Sequence, residues 1–346
     1  MKKFLYQISI LFVTLAASAQ DVQLSQFYAN PLYLNPGFAG SAHNHRATVH
    51  HRIQWPGLQS KFTTSLLSYD TYFSKYNSGF GIQAMQDFRG NNTISSTSLD
   101  FMYSYELHVS EKLSFRPGVQ LGFSTRNLDY SKLTFPSMFD DEGLINTTPT
   151  INFNNSRVLY TDIGAGIIGY TDKVWFSFSA NHLNTPNLTI LKDDDELPVR
   201  GTFVGGYKID LSKKEKSKST IGYSKEFFIT PTFHYKFQGK FDQADLGCYA
   251  TIDFMTAGLW YRGIPFKKFV STQFDEKFQN NESIVFIIGT KIDVWSISYS
   301  YDYLLSGLRD VNAGGAHEIN LTYVHRKYSK KKRPMKRLPC PKFFSY

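Results

Sequence analysis

The sequence predicts an all-β fold, a transmembrane antiparallel β-barrel of about 14 strands in an outer membrane, with an N-terminal lumenal or mouth segment and a periplasmic basic tail. Three observations lead there: an export signal with no later apolar run of helical length, alternation of apolar and polar residues with a period of two, and connections that alternate long and short.

The chain opens on Met1-Lys2-Lys3, continues through an apolar stretch from Phe4 to Leu15, and reaches Ala17-Ser18-Ala19. A basic start, a short apolar run and small residues at the cleavage position make a secretory signal, residues 1–19, cut after Ala19. Over the whole chain, 16% of residues are aromatic and only 19% charged, against about 25% charged in an average domain. No apolar run of about 20 residues follows, so any bilayer span is made of strands in a closed sheet. The formal net charge of +9 does not point to nucleic acid, because it concentrates in Lys213-Lys214-Glu215-Lys216-Ser217-Lys218 and in Arg326 to Arg337. Cys248 and Cys340 could pair after export, but one lies in a strand pattern and the other in a terminal tail, so no disulfide is expected.

The strand signal is clearest where it is longest. Leu99, Phe101, Tyr103, Tyr105 and Leu107 share one face, opposed by Ser98, Asp100, Met102, Ser104 and Glu106. Leu113, Phe115, Val119, Leu121 and Phe123 repeat the pattern against Ser114, Arg116, Gln120, Ser124 and Arg126, as do Trp295, Ile297, Tyr299, Tyr301 and Tyr303 against Ser296, Ser298, Ser300 and Asp302. Similar stretches begin near Ala47, Phe62, Gly79, Tyr160, Lys173, Arg200, Glu226, Ala244, Thr256, Glu282 and Ala316. Connections after odd strands read as long (Asn127 to Leu159, Asn184 to Val199, Gly263 to Asn281), and those after even strands as tight (Ser110-Glu111, Thr171-Asp172, Ile292-Asp293). Long outer loops and short periplasmic turns put both termini in the periplasm. Pro117 and Pro231 fall inside strand patterns and are expected to form bulges.

The residues give no catalytic, cofactor or metal site. His43, His45, His50 and His51 cluster, but His50 and His51 point to opposite faces of a strand and no cysteine or carboxylate joins them at ligand spacing. Asp100, Glu106 and His108 share an inward face, which in a polar lumen is ordinary. Gly164-Ala165-Gly166 follows no βαβ unit and carries no phosphate-binding meaning. More informative is the segment 20–45, ahead of a barrel at 46–326. Its two Asn-Pro pairs, Asn30-Pro31 and Asn35-Pro36, with Gly37 and Gly40, enforce turns, while Phe38 and its neighbours need burial. A plug in the lumen or at the periplasmic mouth satisfies both requirements.

These pieces together resemble the PorP/SprF family of outer-membrane proteins from the type IX secretion and gliding machinery of Bacteroidetes. The resemblance runs through Ser25-Gln26-Phe27-Tyr28, Asn30-Pro31-Leu32-Tyr33-Leu34-Asn35-Pro36 and Gly40-Ser41, then His51-Arg52-Ile53-Gln54-Trp55 and Ser68-Tyr69-Asp70, and ends in Gly314-Gly315-Ala316-His317-Glu318-Ile319 and Cys340-Pro341-Lys342-Phe343. Ile53 stands where the family often has a polar residue and Ala316 where it usually has Ser. The resemblance implies a non-enzymatic part of protein export, embedded in outer-membrane lipid. Its implied partners are the periplasmic ring and motor and a secreted client, often a large adhesin, held through the client's C-terminal domain. The alternative is a hatch-gated channel for small hydrophobic molecules, similar to the fatty-acid transporters, which also have an Asn-Pro turn in their hatch. The basic tail, residues 327–346, reads in two ways: a solvated tail held near anionic groups, or a docking element in which the basic run steers to an acidic periplasmic partner and Lys331, Lys332, Arg333, Cys340 and Phe343 make the contact.

Overall fold

A computed structural model describes residues 21–133, 139–140, 143–144, 157–189, 195–212, 226–270 and 277–325. The expected signal at 1–19 and the expected tail at 327–346 lie outside the described residues.

Fourteen strands form the wall: β1 His45–Gln54, β2 Phe62–Phe73, β3 Ser78–Arg89, β4 Ile94–Tyr105 continued by Leu107–Ser110, β5 Leu113–Leu128, β6 Arg157–Tyr170 and β7 Val174–Asn181. They continue as β8 Arg200–Tyr207 with Ile209–Asp210, β9 Phe227–Gln238, β10 Phe241–Ile252, β11 Met255–Val270, β12 Lys277–Ile292, β13 Trp295–Leu304 and β14 Ala316–His325. Each is antiparallel to the next, and β14 returns to β1 from Gln54↔Ala316 to His45↔His325, closing the barrel. A two-residue pair, Phe139–Asp140 with Gly143–Leu144, lies between β5 and β6.

Alternation decides which side each residue meets. Phe101 is 44% exposed to the outside and Asp100, its neighbour, 5%. Leu67, Phe80, Leu121, Leu246, Phe286 and Leu321 stand outward in the same way, while Ser104, Arg116, Ser179, Ser300 and Glu318 are buried inward. An apolar exterior around a polar interior is stable only with lipid outside, because an exposed apolar surface of that extent would not stay in water.

The prolines do not make bulges. The β4–β5 ladder runs to Ser104↔Gly118 and resumes at Leu107↔Phe115 in the same register, and the gap faces Pro117. On β8–β9 the ladder runs to Gly206↔Thr232 and resumes at Ile209↔Ile229, with the gap facing Pro231. Each proline costs its strand a donor toward one neighbour without inserting a residue. The register shifts lie elsewhere, between His108 and Ser110 and on the β11–β12 pair between Arg262/Gly263 and Ile264/Lys268.

Connection lengths also depart from strict alternation. β3 and β9 end in tight turns, at Gly90 to Thr93 and at Gly239-Lys240, where Gly90, Asn91, Asn92 and Gly239 take left-handed φ values near +60°. The stretch expected as a loop from Gly263 to Asn281 is largely strand, since β11 and β12 stay paired out to Val270↔Lys277.

Candidate functional site

A ring of this many strands encloses more space than its own side chains fill, since about eight strands already suffice for a packed interior. The chain ahead of β1 occupies that space. Residues 21–44 descend through the lumen in three short helical turns, Phe27–Ala29, Pro31–Leu34 and Pro36–Phe38. Each Asn-Pro pair starts one of the last two, the proline taking the first helical position where no N–H is needed. Asn35 adds an Asx-type bond, its Oδ1 accepting from Gly37 N at 2.7 Å.

Strand directions place the two ends. Asp21 lies beside His182, just after β7, and Arg200, at the start of β8, both at the mouth that carries the connections after odd strands. Gly40 lies against Asp70 near the end of β2, at the opposite, periplasmic mouth. The first strand therefore begins and the last strand ends at the periplasmic mouth, as expected for the termini of the wall, whereas the described N-terminal end at Asp21 lies at the outer mouth.

The segment is tied along its length by groups from distant strands. At the outer end Asp21 meets His182 Nε2 and Arg200 Nη1, each at 2.7 Å, and His182 Nδ1 meets Asp162 at 2.9 Å. Burial works against charge on His182, but the two carboxylates outweigh it and raise its pKa to about 9. Burial likewise opposes charge on Asp21, which His182 and Arg200 nevertheless hold well below the usual carboxylate range.

One turn lower, Glu318 accepts from Ser25 N at 2.7 Å and Gln26 N at 2.8 Å, and Ser25 Oγ donates to Asp302 at 2.6 Å. Arg52 bridges Glu318 and Asp302, and Arg262 links Asp302 at 3.0 Å to Asp245 at 3.1 Å. Glu318, which holds the Ser25-Gln26 backbone, and Asp302, which holds the Ser25 hydroxyl, are thus each paired, which is what makes buried charge tolerable. Beside them Phe27 stacks on His234 with centroids 4.6 Å apart and meets Trp260 edge-on at 5.0 Å.

The expected plug residues are all in contact with the wall. Asn30 Nδ2 bonds His50 Nδ1 at 3.0 Å and its Oδ1 accepts from Asn320 at 3.3 Å. Asn35 Nδ2 donates to Ser177 Oγ at 2.9 Å and Phe178 O at 2.8 Å. Pro31, Pro36 and Phe38 are buried, and the Phe38 carbonyl accepts from Arg46, itself paired with Asp70 at 2.7 Å. At the foot, Arg116 donates to Gly37 O at 3.2 Å and Ala39 O at 2.6 Å, and Glu106 accepts from Tyr72 at 2.5 Å and Tyr170 at 2.6 Å. Contact there is backbone on backbone: a Cβ on Gly118 would lie 2.4 Å from Gly37 N, and one on Gly79 1.9 Å from Ala39 O.

The four histidines occupy separate environments. His43 lies 3.5 Å from Glu106, His45 bonds Tyr69 on the outer surface, His50 is buried in the lumen and His51 bonds Ser65 outside. Nor do Asp100, Glu106 and His108 form a set: Asp100 bonds Ser98 and Gln120, Glu106 serves the foot of the segment, and His108 is exposed past the ladder gap, bonded to Ser114. Gly164 and Gly166 prove to be clearance for Asn181 and Asn35, whose atoms a Cβ would meet at 2.9 and 2.2 Å. Cys248 is a free thiol on β10. Lys331, Lys332, Arg333, Cys340 and Phe343 lie outside the described residues. Sequence reasoning missed Arg52, Arg116, Arg262, Asp302 and Glu318; an arginine or carboxylate recurring at inward positions was the available signal, but its partners are set by barrel closure.

The family described as "Type IX secretion system membrane protein PorP/SprF" matches residues 16–323, nearly the whole chain. The chain belongs to the PorP/SprF family. It is thus an outer-membrane member of a type IX secretion family. No curated protein matches the chain. Among solved structures, it resembles a TodX mutant described as a monoaromatic hydrocarbon channel, at 11% identity over 89% of this chain and 95% of that one, TM-score 0.47. The Ralstonia pickettii toluene transporter TbuX matches at 10% identity over 85% and 93%, TM-score 0.46, and the Acinetobacter baumannii outer membrane protein Omp33 at 6% over 83% and 100%, TM-score 0.43.

Proposed function

We propose that this PorP/SprF protein is a non-enzymatic scaffold that helps to secrete a client, such as an adhesin, and to anchor it at the cell surface through the client's C-terminal domain. The observation that supports the reading is the course of residues 21–44 through the lumen. A segment held from mouth to mouth by paired buried charges and by side chains bonded to its backbone suits a barrel that works by its outer loops and its periplasmic face rather than by conduction. In this reading Asn30, Pro31, Asn35, Pro36 and Phe38 form the plug, and the tail residues Lys331, Lys332, Arg333, Cys340 and Phe343 dock on the periplasmic ring or motor.

The test is a deletion strain complemented by the full chain or by a chain ending at Lys327. Surface display of the client is scored by antibody, and barrel assembly by heat-modifiable mobility. Loss of display in the deletion, restored only by the full chain while both forms assemble, supports scaffold and tail. Display unchanged in the deletion, with loss of small hydrophobic solutes from uptake, would replace the reading with the channel.

A further inference from the structure

The segment does not fill the lumen evenly. Between it and the wall of β3–β6 a cavity opens to the outer mouth; Tyr33 and Asp21 form one side and Leu188 and Leu197 lie above. Its floor is one row of inward positions on four adjacent strands, Gln83↔Asp100↔Gly122↔Asp162. Asp100 is buried, accepts only from Ser98 Oγ and Gln120 Nε2, both at 3.2 Å, and has no ion pair among the described residues. The other carboxylate of the row, Asp162, has its cation in His182.

Gly122 makes the seat. A Cβ there would lie 2.3 Å from Asp100 Oδ1, so the missing side chain is what lets the carboxylate lean across the floor. Two of the residues lining the same space carry an acceptor with no hydrogen-bond partner among the described residues: Gln83 Oε1 and Asn181 Oδ1, both buried on residues each 3% exposed, so that a ligand reaches them by turning their amides toward Asp100. Three acceptors of which one is an uncompensated carboxylate call for a ligand rich in N–H and positively charged.

The rim has the opposite sign. Arg89 and Arg126 line the cavity above the floor; Arg89 is paired with Asp87 at 2.6 Å, but among the described residues Arg126 has an ion pair only with Asp195, at 4.0 Å. Along β5, Arg126 stands four positions beyond Gly122, or about 13 Å of strand. Two or three extended residues span about 7 to 11 Å, and the arginine side chain covers the remainder.

We propose that this cavity binds a short zwitterionic peptide, with its α-ammonium on Asp100 between Gln83 and Asn181 and its carboxylate toward Arg126. A free peptide and the amino-terminal end of a longer polypeptide both present the ammonium, and only the first presents the carboxylate at this depth. The site does not depend on the secretion reading, since neither client nor machinery enters the geometry.

The test is calorimetric titration of the full-length chain, folded in detergent micelles by the heat-modifiability criterion, with tri-alanine, N-acetyl-tri-alanine and tri-alanine amide. Tri-alanine should bind saturably and the acetylated peptide at least tenfold more weakly. Binding of the amide as tight as that of the free acid assigns the site to a polypeptide end; tenfold weaker binding assigns it to free peptides. Asp100→Asn should weaken tri-alanine at least tenfold. Gly122→Ala fills the seat without altering a charge and should do the same, so the inference remains testable if Asp100→Asn fails to fold. No saturable binding to the wild-type chain, equal binding of the acetylated peptide, or undiminished binding by folded Gly122→Ala would overturn it.

Discussion

At the scale of single residues, sidedness dominates. Phe101 points to lipid on β4, so Phe101→Arg should cost about 2–4 kcal/mol near the midplane, read as a shift in urea-unfolding midpoint in lipid vesicles. Arg52 illustrates the inner side. It bridges Asp302, which holds the Ser25 hydroxyl, and Glu318, which holds the Ser25-Gln26 backbone; Asp302 keeps Arg262, so removing Arg52 leaves the buried charge of Glu318 uncompensated. Arg52→Ala should therefore destabilise by about 3–5 kcal/mol. The double variant Arg52→Met with Glu318→Leu should recover part of that loss; a double variant as damaged as the single would show that the pair matters for something other than charge balance.

At the scale of elements, the lumenal segment and the wall are fitted to each other through missing side chains. Gly118→Ala would drive a methyl into the backbone at Gly37, and the expected outcome is a barrel that still assembles while the foot of the segment becomes reachable by a water-soluble maleimide at an introduced Ala39→Cys. The outer end should release with pH. The folded pKa of His182 is raised from 6.5 to about 9, so its contribution to holding Asp21 is complete below 6.5 and is lost as pH rises through about 9. The Asp21 carboxyl is lowered from 3.8, so its contribution is complete above 3.8 and fades only in stronger acid. Labelling of Val22→Cys, taken as a ratio to a fully exposed control cysteine so that thiolate formation cancels, should accordingly be low from pH 4 to about 8 and rise above about 9; a ratio that stays flat would mean that the ion pairs do not hold the end.

At the scale of the whole molecule, the lumenal segment and the barrel form one folded unit, because charges that line the wall are the partners of the segment's backbone. Intact protein in planar bilayers should conduct poorly, and deletion of residues 21–41 should open a pore. A large steady conductance from the intact protein would contradict the stopper. The deletion should also lower thermal stability sharply, since Glu318, Asp70 and Arg116 would each lose backbone partners.

The sequence by itself determined the strand count, the direction each side chain faces and the turns of the Asn-Pro segment, because a period of two, lipid on one side and the stereochemistry of proline are local constraints. The starts read near Phe62, Tyr160, Lys173, Arg200 and Ala316 fall within three residues of the observed strands. What only the tertiary structure decided is what meets across the lumen. Ser25 and Glu318 are 293 positions apart, and Asn35 and Ser177 are 142 apart, distances at which no periodicity carries information. Ladder gaps opposite Pro117 and Pro231, in place of bulges, were likewise settled by the neighbouring strand, which supplies the register that a single strand does not contain. The Asp100 seat belongs to the same class: Asp100 and Gly122 read as ordinary lumenal positions until closure of the barrel sets them side by side, and then the absence of one side chain gives the carboxylate its place.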